Sequence, residues 1–426
     1  MTPAARLAAA IDLLDAILSA ARDNGPPADR LVNDYFRARR YAGSKDRRAI
    51  QDRVFDTLRH AVSLSERLAA AGLAATGRTL ALCALDDAET ADLDRGADGA
   101  LFAGPHATHA PDAAEAAALA AARALPADRL SATARLECPA WLANHLDLDA
   151  AAPVLELLVG RAPLDLRVNT LKAEPEAVRA ALAEQGVSAG PVAGTATALR
   201  VDPPVSLHQS PLMRDGAIEV QDANAQRACA LAAAAPGEAV IDLCAGAGGK
   251  TLALAAAMAN EGRLWAVDIA PQRLKTLARR AAIAGVTVAE TVALPATGKP
   301  RARWLDAHAD AADLVLADVP CSGTGTWRRN PELRLRLDAD WLDELRRRQA
   351  RLLDEAATLV KPGGRLVYAT CSILAGENDA QIAAFLDRRP DFALADPAGG
   401  PHAWTPDADG GDGFFAALLV RRPADA

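Results

Sequence analysis

Two cysteines stand where they could do chemistry, because each lies at the end of an apolar run that is typical of a buried strand. Cys321 belongs to residues 318–325 (DVPCSGTG), and Cys371 to residues 369–372 (ATCS). A lone cysteine is most often a small buried apolar residue. A thiolate, however, is a nucleophile that can divide one difficult reaction step into two easier ones. If both strands belong to one parallel sheet, the two thiols reach one cleft, with Asp318 beside them as a candidate acid.

A glycine-rich turn at residues 242–251 (DLCAGAGGKT) is the second candidate site. A phosphate-binding loop needs glycine where Cys244 stands, so that interpretation fails. A dinucleotide-binding fingerprint needs a third glycine where Thr251 stands, so that match is weak. The third interpretation is a site for S-adenosylmethionine, a cofactor without phosphates.

Glycines suit this third interpretation, because the methionine part of the cofactor must pass close to the backbone of the turn. Gly246, Gly248 and Gly249 permit that approach. Asp268 ends the next apolar run. We expect its carboxylate either to accept hydrogen bonds from two ribose hydroxyls or to cap the following helix, and the two roles are compatible.

The elements that must position these residues alternate between short apolar runs and helical stretches. Apolar runs without polar alternation, each followed by a helix, predict a doubly wound parallel sheet, in which ligands bind at the carboxyl ends of the strands. The predicted strands are 239–243, 264–268, 313–318 and 365–371, and the predicted helices are 250–259, 271–284, 340–360 and 378–388.

The rest of the chain divides into two further regions. Residues 1–135 show helical spacing and predict an all-α domain, whose basic stretch 37–48 is either an RNA-backbone contact or a solvated helix face. Residues 136–235 mix short β-like runs with one helical stretch and predict a small α+β module. Residues 236–426 are the predicted α/β domain.

Composition limits the class of protein. The chain has 426 residues, enough for about three domains, and a net charge of −8, which excludes a generally basic nucleic-acid binder but not local basic patches. The six cysteines form no C-x-x-C pair and the seven histidines show no ligand spacing, so we expect neither a metal nor a disulfide scaffold. No signal peptide and no membrane-spanning apolar run is evident. We therefore expect a reduced, cytoplasmic monomer.

Taken together, the motifs resemble one known family, the Sun-type (Sun/Fmu, RsmB-like) RNA cytosine-5 methyltransferases. The resemblance covers about residues 240–420 and its motifs are specific as a set. It is carried by residues 242–251, 267–274 (VDIAPQRL), 318–325, 328–331 (RRNP), 366–372 (LVYATCS), 377–378 (EN) and 412–415 (DGFF).

The resemblance implies a role for each thiol. Carbon 5 of cytosine is a poor nucleophile, and addition of a thiolate to carbon 6 makes the ring enamine-like. In this family the cysteine of the Thr-Cys-Ser element attacks the base, which implies Cys371. The cysteine of the Pro-Cys element helps to release the product, which implies Cys321. Asp318 can hydrogen-bond the pyrimidine edge.

The resemblance also implies S-adenosylmethionine as cofactor and a set of contacts to it. These come from Cys244, Ala245, Gly246, Ala247, Gly248, Gly249, Lys250, Asp268, Asp306 and Asp318. Asp306 is the candidate for a further acid on the strand between Asp268 and Asp318, with Asp310 as the alternative. In two departures from the family pattern, Gly246-Ala247 replaces Ala-Pro, and Val319 replaces Ala.

RNA is the partner that the resemblance implies. Residues 1–135 resemble the RNA-binding fold of the antitermination factor NusB, and residues 166–172 (LRVNTLK) with 221–222 (QD) resemble the family's RNA-recognition-like segment. This arrangement implies small-subunit (16S) ribosomal RNA as substrate. We further expect the basic, partly aromatic stretch 327–336 (WRRNPELRLR) to contact RNA.

Other functions stay open. One is the same reaction on transfer RNA or another RNA. Another is a non-catalytic RNA-binding assembly factor, although a pure binder has no need for both Cys321 and Cys371. A NAD-dependent dehydrogenase is disfavoured by the missing third glycine.

Overall fold

A computed structural model describes residues 1–23, 25–336, 338–395, 400–406 and 410–423, except for the side chains of Asp94 and Ala97. The chain forms two compact units, one of residues 1–161 with 326–339 and the other of residues 162–325 with 340–426. The predicted domain boundaries near residues 135 and 235 stay predictions, because compactness alone does not define where an independently folding domain ends.

The four helices predicted for the α/β domain, α13, α14, α17 and α18, lie within two residues of their predicted limits. In the described residues they are α1 Pro3–Arg22, α2 Ala28–Ala38, α3 Ser44–Arg59, α4 Ala61–Ala70, α5 Gly77–Cys83, α6 Asp87–Asp94, α7 Ala113–Ala124, α8 Ala132–Arg135, α9 Leu148–Leu157, α10 Pro175–Glu184, α11 Pro211–Arg214, α12 Ala223–Leu231, α13 Gly249–Ala257, α14 Pro271–Ala284, α15 Lys299–Ala307, α16 Leu333–Arg336, α17 Ala339–Leu359 and α18 Asp379–Arg388.

The strands all lie in the second unit. In the described part of the chain they are β1 Leu164–Val168, β2 Ala189–Pro191, β3 Ala198–Val201, β4 Ile218–Val220, β5 Ala239–Asp242, β6 Arg263–Asp268, β7 Ala289–Ala293, β8 Ala312–Asp318, β9 Val360–Thr370, β10 Phe392–Leu394, β11 His402–Trp404 and β12 Phe414–Arg421.

The first unit is a helical body around α1, which confirms the predicted all-α region. Leu7, Leu14 and Ile17 recur along one face of α1 and are at most 1% exposed. Glu137, although charged, is buried beside the start of α4, where its carboxylate accepts hydrogen bonds from the backbone N–H groups of Val62 and Ser63 at 3.0 and 3.1 Å. Its charge therefore lies at the positive end of a helix.

Residues 326–336 belong to this helical unit, and two side chains of the stretch 327–336, which was predicted to contact RNA, are buried in it. Trp327 is fully buried and Arg334 is 1% exposed. The guanidinium carbon of Arg334 lies 4.8 Å from the centre of the Trp327 ring, and Nη2 donates to the carbonyl of Leu158 at 2.9 Å. Burial lowers the pKa of Arg334 to about 10. These two side chains are therefore part of the packing, and their basic and aromatic character was misleading.

Two sheets make up the second unit. The smaller one is antiparallel, with strand order β2-β3-β1-β4, and it confirms the predicted small α+β module. The larger one has the order β10-β12-β9-β8-β5-β6-β7, with β11 also paired to β12. The five strands from β9 to β7 are parallel. Four of them, β5, β6, β8 and β9, are the strands of the predicted parallel sheet, and β7 extends it at one edge. The other edge is antiparallel, because β12 runs opposite to β9.

Burial of Trp327 predicts that it stabilises the helical unit. We expect Trp327→Ala to lower the free energy of unfolding by about 3–5 kcal/mol, as for other large-to-small changes in a core. Tyr41→Ala is the control, because Tyr41 is 74% exposed. Thermal denaturation of both variants measures the difference. An unchanged melting temperature in Trp327→Ala together with weaker RNA binding would restore the RNA-contact interpretation.

Candidate active site

Four neighbouring parallel strands end at the same edge of the large sheet, and each brings a predicted site residue there. Cys371 follows β9, Asp318 ends β8, and Asp268 ends β6, while the glycine-rich turn follows β5. The chain moves outward from β5 in one direction through β6 and in the other through β8. This edge is therefore a topological switch point, where open α/β sheets bind ligands.

The two cysteines predicted to share a cleft are in contact. Sγ of Cys321 lies 3.4 Å from Sγ of Cys371, and both residues are partly exposed. The contact with Cys371, together with burial, raises the pKa of the Cys321 thiol well above its ordinary value. Cys321 is therefore held as a neutral thiol directly beside its partner sulfur.

A buried carboxylate joins the two loops that carry these cysteines. Glu377 is fully buried, and its Oε1 accepts from the backbone N–H of Ser322 and from Nε2 of Gln349, both at 2.8 Å. Its Oε2 accepts from the hydroxyls of Ser322 and Ser372. Ser322 follows Cys321 and Ser372 follows Cys371, so one side chain fixes the separation of the two sulfurs. Glu377 belongs to the motif at residues 377–378, but no role was predicted for it, since nothing in the sequence shows what a distant glutamate binds.

Two glycines allow a third segment to reach the same place. The backbone N–H of Gly325 donates to the carbonyl of Cys371 at 3.0 Å, and that of Gly413 donates to the carbonyl of Gly325 at 2.9 Å. A Cβ atom on Gly325 would lie 2.1 Å from the carbonyl oxygen of Gly413. Only glycine fits so close a backbone approach. The Asp-Gly-Phe-Phe motif therefore packs against the loop of Cys321.

Asp318 is paired with Lys250 at this edge. Nζ of Lys250 donates to Oδ2 of Asp318 at 2.6 Å and lies 5.1 Å from the centre of the Phe414 ring. Burial by itself lowers the pKa of Lys250, but the charge of Asp318 and its hydrogen bond, together with the nearby cysteines, outweigh burial, and the pKa is raised overall. The lysine therefore stays cationic and holds Asp318 beside the cysteines.

The glycine-rich turn is braced by the acid at the end of β6. Gly248 has a φ of +91°, and a Cβ atom there would lie 2.5 Å from Cγ of Leu277. Oδ2 of Asp268 accepts from the N–H of Gly246 at 2.8 Å, and Oδ1 accepts from that of Ala270 at 2.7 Å, next to the start of α14. The predicted capping role of Asp268 is wrong, because the N-cap of α14 is Ala270, without a side-chain capping bond, and Asp268 holds the loop before it. Each carboxylate oxygen keeps a further lone pair for a ligand hydroxyl.

Asp242, at the end of β5, is a second fully buried acid of the described site, besides Glu377. It is 0% exposed, and its Oδ2 accepts from the hydroxyl of Thr251 at 2.7 Å. Its Oδ1 has no hydrogen-bond partner among the described residues. Burial raises the pKa of Asp242 to about 7.

The small antiparallel sheet contributes a contact to the glycine-rich turn that the sequence did not reveal. Arg167 of β1 is 5% exposed, and its Nη1 donates to the carbonyl of Gly249 and to Oε1 of Gln221. Asn169 of the same segment donates to the carbonyls of Gly216 and Ala284, each at 2.8 Å. Arg167 of the predicted RNA-recognition-like segment therefore supports the turn, whereas Asn169 joins the small sheet to the end of α14.

The prediction for Asp306 is wrong about its position. Asp306 lies in the second half of helix α15. This helix starts after the carboxyl end of β7 and leads back to the opposite edge of the sheet, where β8 begins. Its neighbours there include Arg351 and Thr358 of α17. The alternative, Asp310, lies still closer to the start of β8 and pairs with Arg421. The residues that follow β7 are Leu294 and Pro295, so no acid stands at the carboxyl end of that strand.

The described residues contain neither a membrane-spanning helix nor a metal-binding cluster. No helix there is both long and apolar enough to cross a membrane. No group of three or more His, Cys, Asp or Glu side chains in that part of the chain is arranged to hold a metal ion.

Comparison with known proteins adds the following similarities. The sequence profile of a family described as 16S rRNA methyltransferase RsmB/F matches residues 228–420, and that of an RsmF/B-like ferredoxin-like domain matches residues 138–208. Ribosomal RNA small subunit methyltransferase B of Salmonella arizonae is 38% identical over 298 residues, which are 68% of this chain and 67% of the relative. The protein of that name from Citrobacter koseri is 36% identical over 306 residues, 70% of each chain.

A solved structure resembles almost the whole chain. The crystal structure of PH0851 is 27% identical, covers 98% of this chain and 99% of its own, and has a TM-score of 0.78. The similarity therefore extends over both compact units and is not confined to the large sheet.

The raised pKa of Asp242 predicts a pH-dependent cost to folding. The unfolded carboxyl ionises near its ordinary pKa of 3.8, but the folded one near 7. The destabilising contribution of Asp242 therefore grows as the pH rises from the lower value to the higher one, and is constant above. Asn cannot ionise. We expect the stability of Asp242→Asn relative to wild type to increase by about 2 kcal/mol between roughly pH 5.5 and 8.5.

Chemical denaturation at several pH values measures this difference. Asp387→Asn is the matched control, since Asp387 is exposed on α18. A constant difference between Asp242→Asn and wild type across that range would contradict a raised pKa.

The buried bonds of Glu377 predict that its charge, and not only its shape, is needed. Gln at this position places an amide nitrogen, a donor, against a set of donors. We expect Glu377→Gln to lose about 1–3 kcal/mol of stability, the usual cost of an unsatisfied buried group, and the two cysteines to react faster with an alkylating reagent as their loops loosen. Glu344→Gln, at an exposed position on α17, is the control. Equal alkylation rates in the two variants would show that Glu377 does not position the sulfurs.

Proposed function

Since the chain belongs to the RsmB/F family of 16S rRNA methyltransferases, we propose that it methylates carbon 5 of a cytosine in 16S rRNA through a covalent adduct between Cys371 and carbon 6. The observation that carries the proposal is the contact between Sγ of Cys321 and Sγ of Cys371, beside Asp318 at the carboxyl edge of the sheet. One thiol suffices for attack. A second one in contact with it suits an enzyme that must also release the product.

S-adenosylmethionine is the cofactor of this family, and it supplies an electrophilic methyl group when bound. The residues present fit it. The turn at residues 244–250 is kept open by glycines, Asp268 offers lone pairs to hydroxyls, and the buried Oδ1 of Asp242 lacks a partner among the described residues. An unpaired buried carboxylate oxygen suits a ligand with a cationic group. Cys244 to Lys250, Asp268 and Asp318 would hold the cofactor.

The first step of the proposed reaction is attack by Cys371. Its thiolate adds to carbon 6 of the cytosine, and the electron pair moves to the ring, so that carbon 5 becomes nucleophilic. Because the raised pKa of Cys321 keeps that thiol protonated, Cys321 is the donor of the contact once Cys371 is a thiolate. The hydrogen bond stabilises the attacking anion. Asp318, held by Lys250 in an ion pair, accepts a hydrogen bond at the pyrimidine edge.

Release reverses the addition. After methylation a base removes the proton from carbon 5, the double bond between carbons 5 and 6 re-forms, and Cys371 leaves as a thiolate. The leaving sulfur again lies within 3.4 Å of the Cys321 thiol, whose hydrogen bond stabilises it. Loss of Cys321 should therefore slow release and leave attack possible, because the adduct itself does not contain Cys321.

Trapping of the adduct tests this assignment. Wild type, Cys321→Ala and Cys371→Ala are incubated with S-adenosylmethionine and unmethylated 16S rRNA, and with transfer RNA in a parallel arm. We expect Cys321→Ala to accumulate a protein–RNA adduct that resists denaturation, and Cys371→Ala to form none. Wild type should produce 5-methylcytosine without accumulated adduct. Gel electrophoresis and nucleoside analysis measure both products.

Three other outcomes of the trapping experiment would change the assignment in different ways. An adduct in Cys371→Ala but not in Cys321→Ala would reverse the two roles. Product formed only in the transfer RNA arm would change the substrate but not the chemistry. Bound RNA without methylation or adduct in any arm would favour the assembly-factor alternative.

A further inference from the structure

A cleft outside the cysteine site has the composition of a base-binding pocket. It lies in the second unit between α12, the loop at residues 193–194 and strand β11, and has a volume of about 520 Å³. Its lining includes Arg227, Leu231, His402 and Trp404, and no acidic residue is among the described residues that line it. The volume lies in the range of small-ligand sites.

Two parallel rings form one wall of the cleft. His402 and Trp404 alternate along β11 and so project to the same face of the strand. Their ring centres are 5.2 Å apart and their planes are inclined by only 6°, which is an offset stack. Such a platform accepts a further flat aromatic group, and nucleobases stack on aromatic side chains in this manner.

A cation is fixed at the opposite wall. Nη2 of Arg227 donates to the carbonyl of Ala193 at 2.6 Å, and Nη1 donates to Oδ1 of Asn224. These bonds orient the guanidinium before any ligand arrives. A guanidinium has five N–H donors, so the same group can also bind a phosphate or a base edge. Arg227 therefore gives the cleft a preference for an anionic aromatic polymer.

The register of the sheet places the cleft close to Cys371. Trp404 pairs with Phe414 on β12, and the next residue, Phe415, pairs with Thr370 on β9, directly before Cys371. Two strand spacings, about 10 Å, therefore separate the backbone of Trp404 from that of the cysteine. Trp404 and Cys371 also pack against the same apolar cluster, and so lie on one face of the sheet.

We infer that this cleft binds an unpaired base of the RNA strand near the target cytosine, stacked on Trp404 and held by Arg227. The inference rests on the proposed function for its choice of RNA. It names a second contact point on the single strand, which would hold the chain of the substrate while the target base occupies the cysteine site. Contacts to nucleotides beside the target are a usual source of sequence preference in enzymes that act on an extruded base.

Binding of a fluorescent single-stranded RNA oligonucleotide to the full chain tests the inference without requiring methyl transfer. We expect Trp404→Ala to weaken binding about tenfold, in line with loss of one stacked base, and Trp404→Phe to keep most of the affinity. Trp304→Ala is the matched control, because Trp304 also stacks on a histidine, His308, but outside the cleft. Unchanged binding of S-adenosylmethionine to Trp404→Ala shows that the variant is folded.

An oligonucleotide series with one base removed at a time identifies the contact. Removal of the stacked base from the oligonucleotide should weaken its binding to wild type about as much as Trp404→Ala weakens binding of the complete oligonucleotide. Removal of the same base should not weaken binding to Trp404→Ala any further. Equal affinities of wild type and Trp404→Ala would overturn the inference.

A second approach requires no variant. Wild type is photocrosslinked to oligonucleotides carrying 4-thiouridine beside the cytosine. A crosslink within residues 402–404 supports the cleft, and crosslinks found only elsewhere overturn it. If wild type binds RNA through Trp404 but never methylates it, the proposed function is wrong, and the inference that the cleft binds RNA is supported.

Discussion

One buried carboxylate, Glu377, sets the geometry on which the site depends. Burying a charge is costly unless hydrogen bonds replace the lost water, and Glu377 obtains them from both cysteine loops and from Gln349 of α17. Because the same group satisfies both loops, neither can move away without leaving a buried charge unsatisfied. The two sulfurs are therefore held in contact by a network that contains neither of them.

The edge of the large sheet gathers further segments around this network. The Asp-Gly-Phe-Phe motif lies against the loop of Cys321, because Gly325 and Gly413 allow the two backbones to approach closely. Arg167 of the small sheet donates to the carbonyl of Gly249 in the glycine-rich turn. The small sheet therefore contacts the glycine-rich turn directly. It supplies a buried cation that fixes the backbone of the turn, so a substitution there would alter the cofactor site without lying in it.

Residues 326–339 connect the chemistry to the helical unit through the chain itself. The segment starts directly after the loop of Cys321 and ends where α17 begins, and between these points Trp327 and Arg334 are buried among the helices. Two buried side chains of this segment thus belong to the core of the helical unit, although the segment follows the loop of Cys321 directly in the chain.

The sequence by itself determined the local elements and the edge at which the chemistry lies. The strands that end at Asp242, Asp268 and Asp318, and helix α14, lie within about one residue of their predicted limits, because apolar runs and prolines act locally. Strand β9 begins five residues before its predicted start at residue 365. Strand β7 and helix α15 were missed, since β7 lies at the sheet edge with mixed exposure, and the prediction for Asp306 failed with them. Only the tertiary structure decided what Glu377, Arg167, Trp327 and Trp404 do. Their partners are distant in the chain, and a sequence pattern reports the periodicity of burial but not which buried polar or aromatic group meets which.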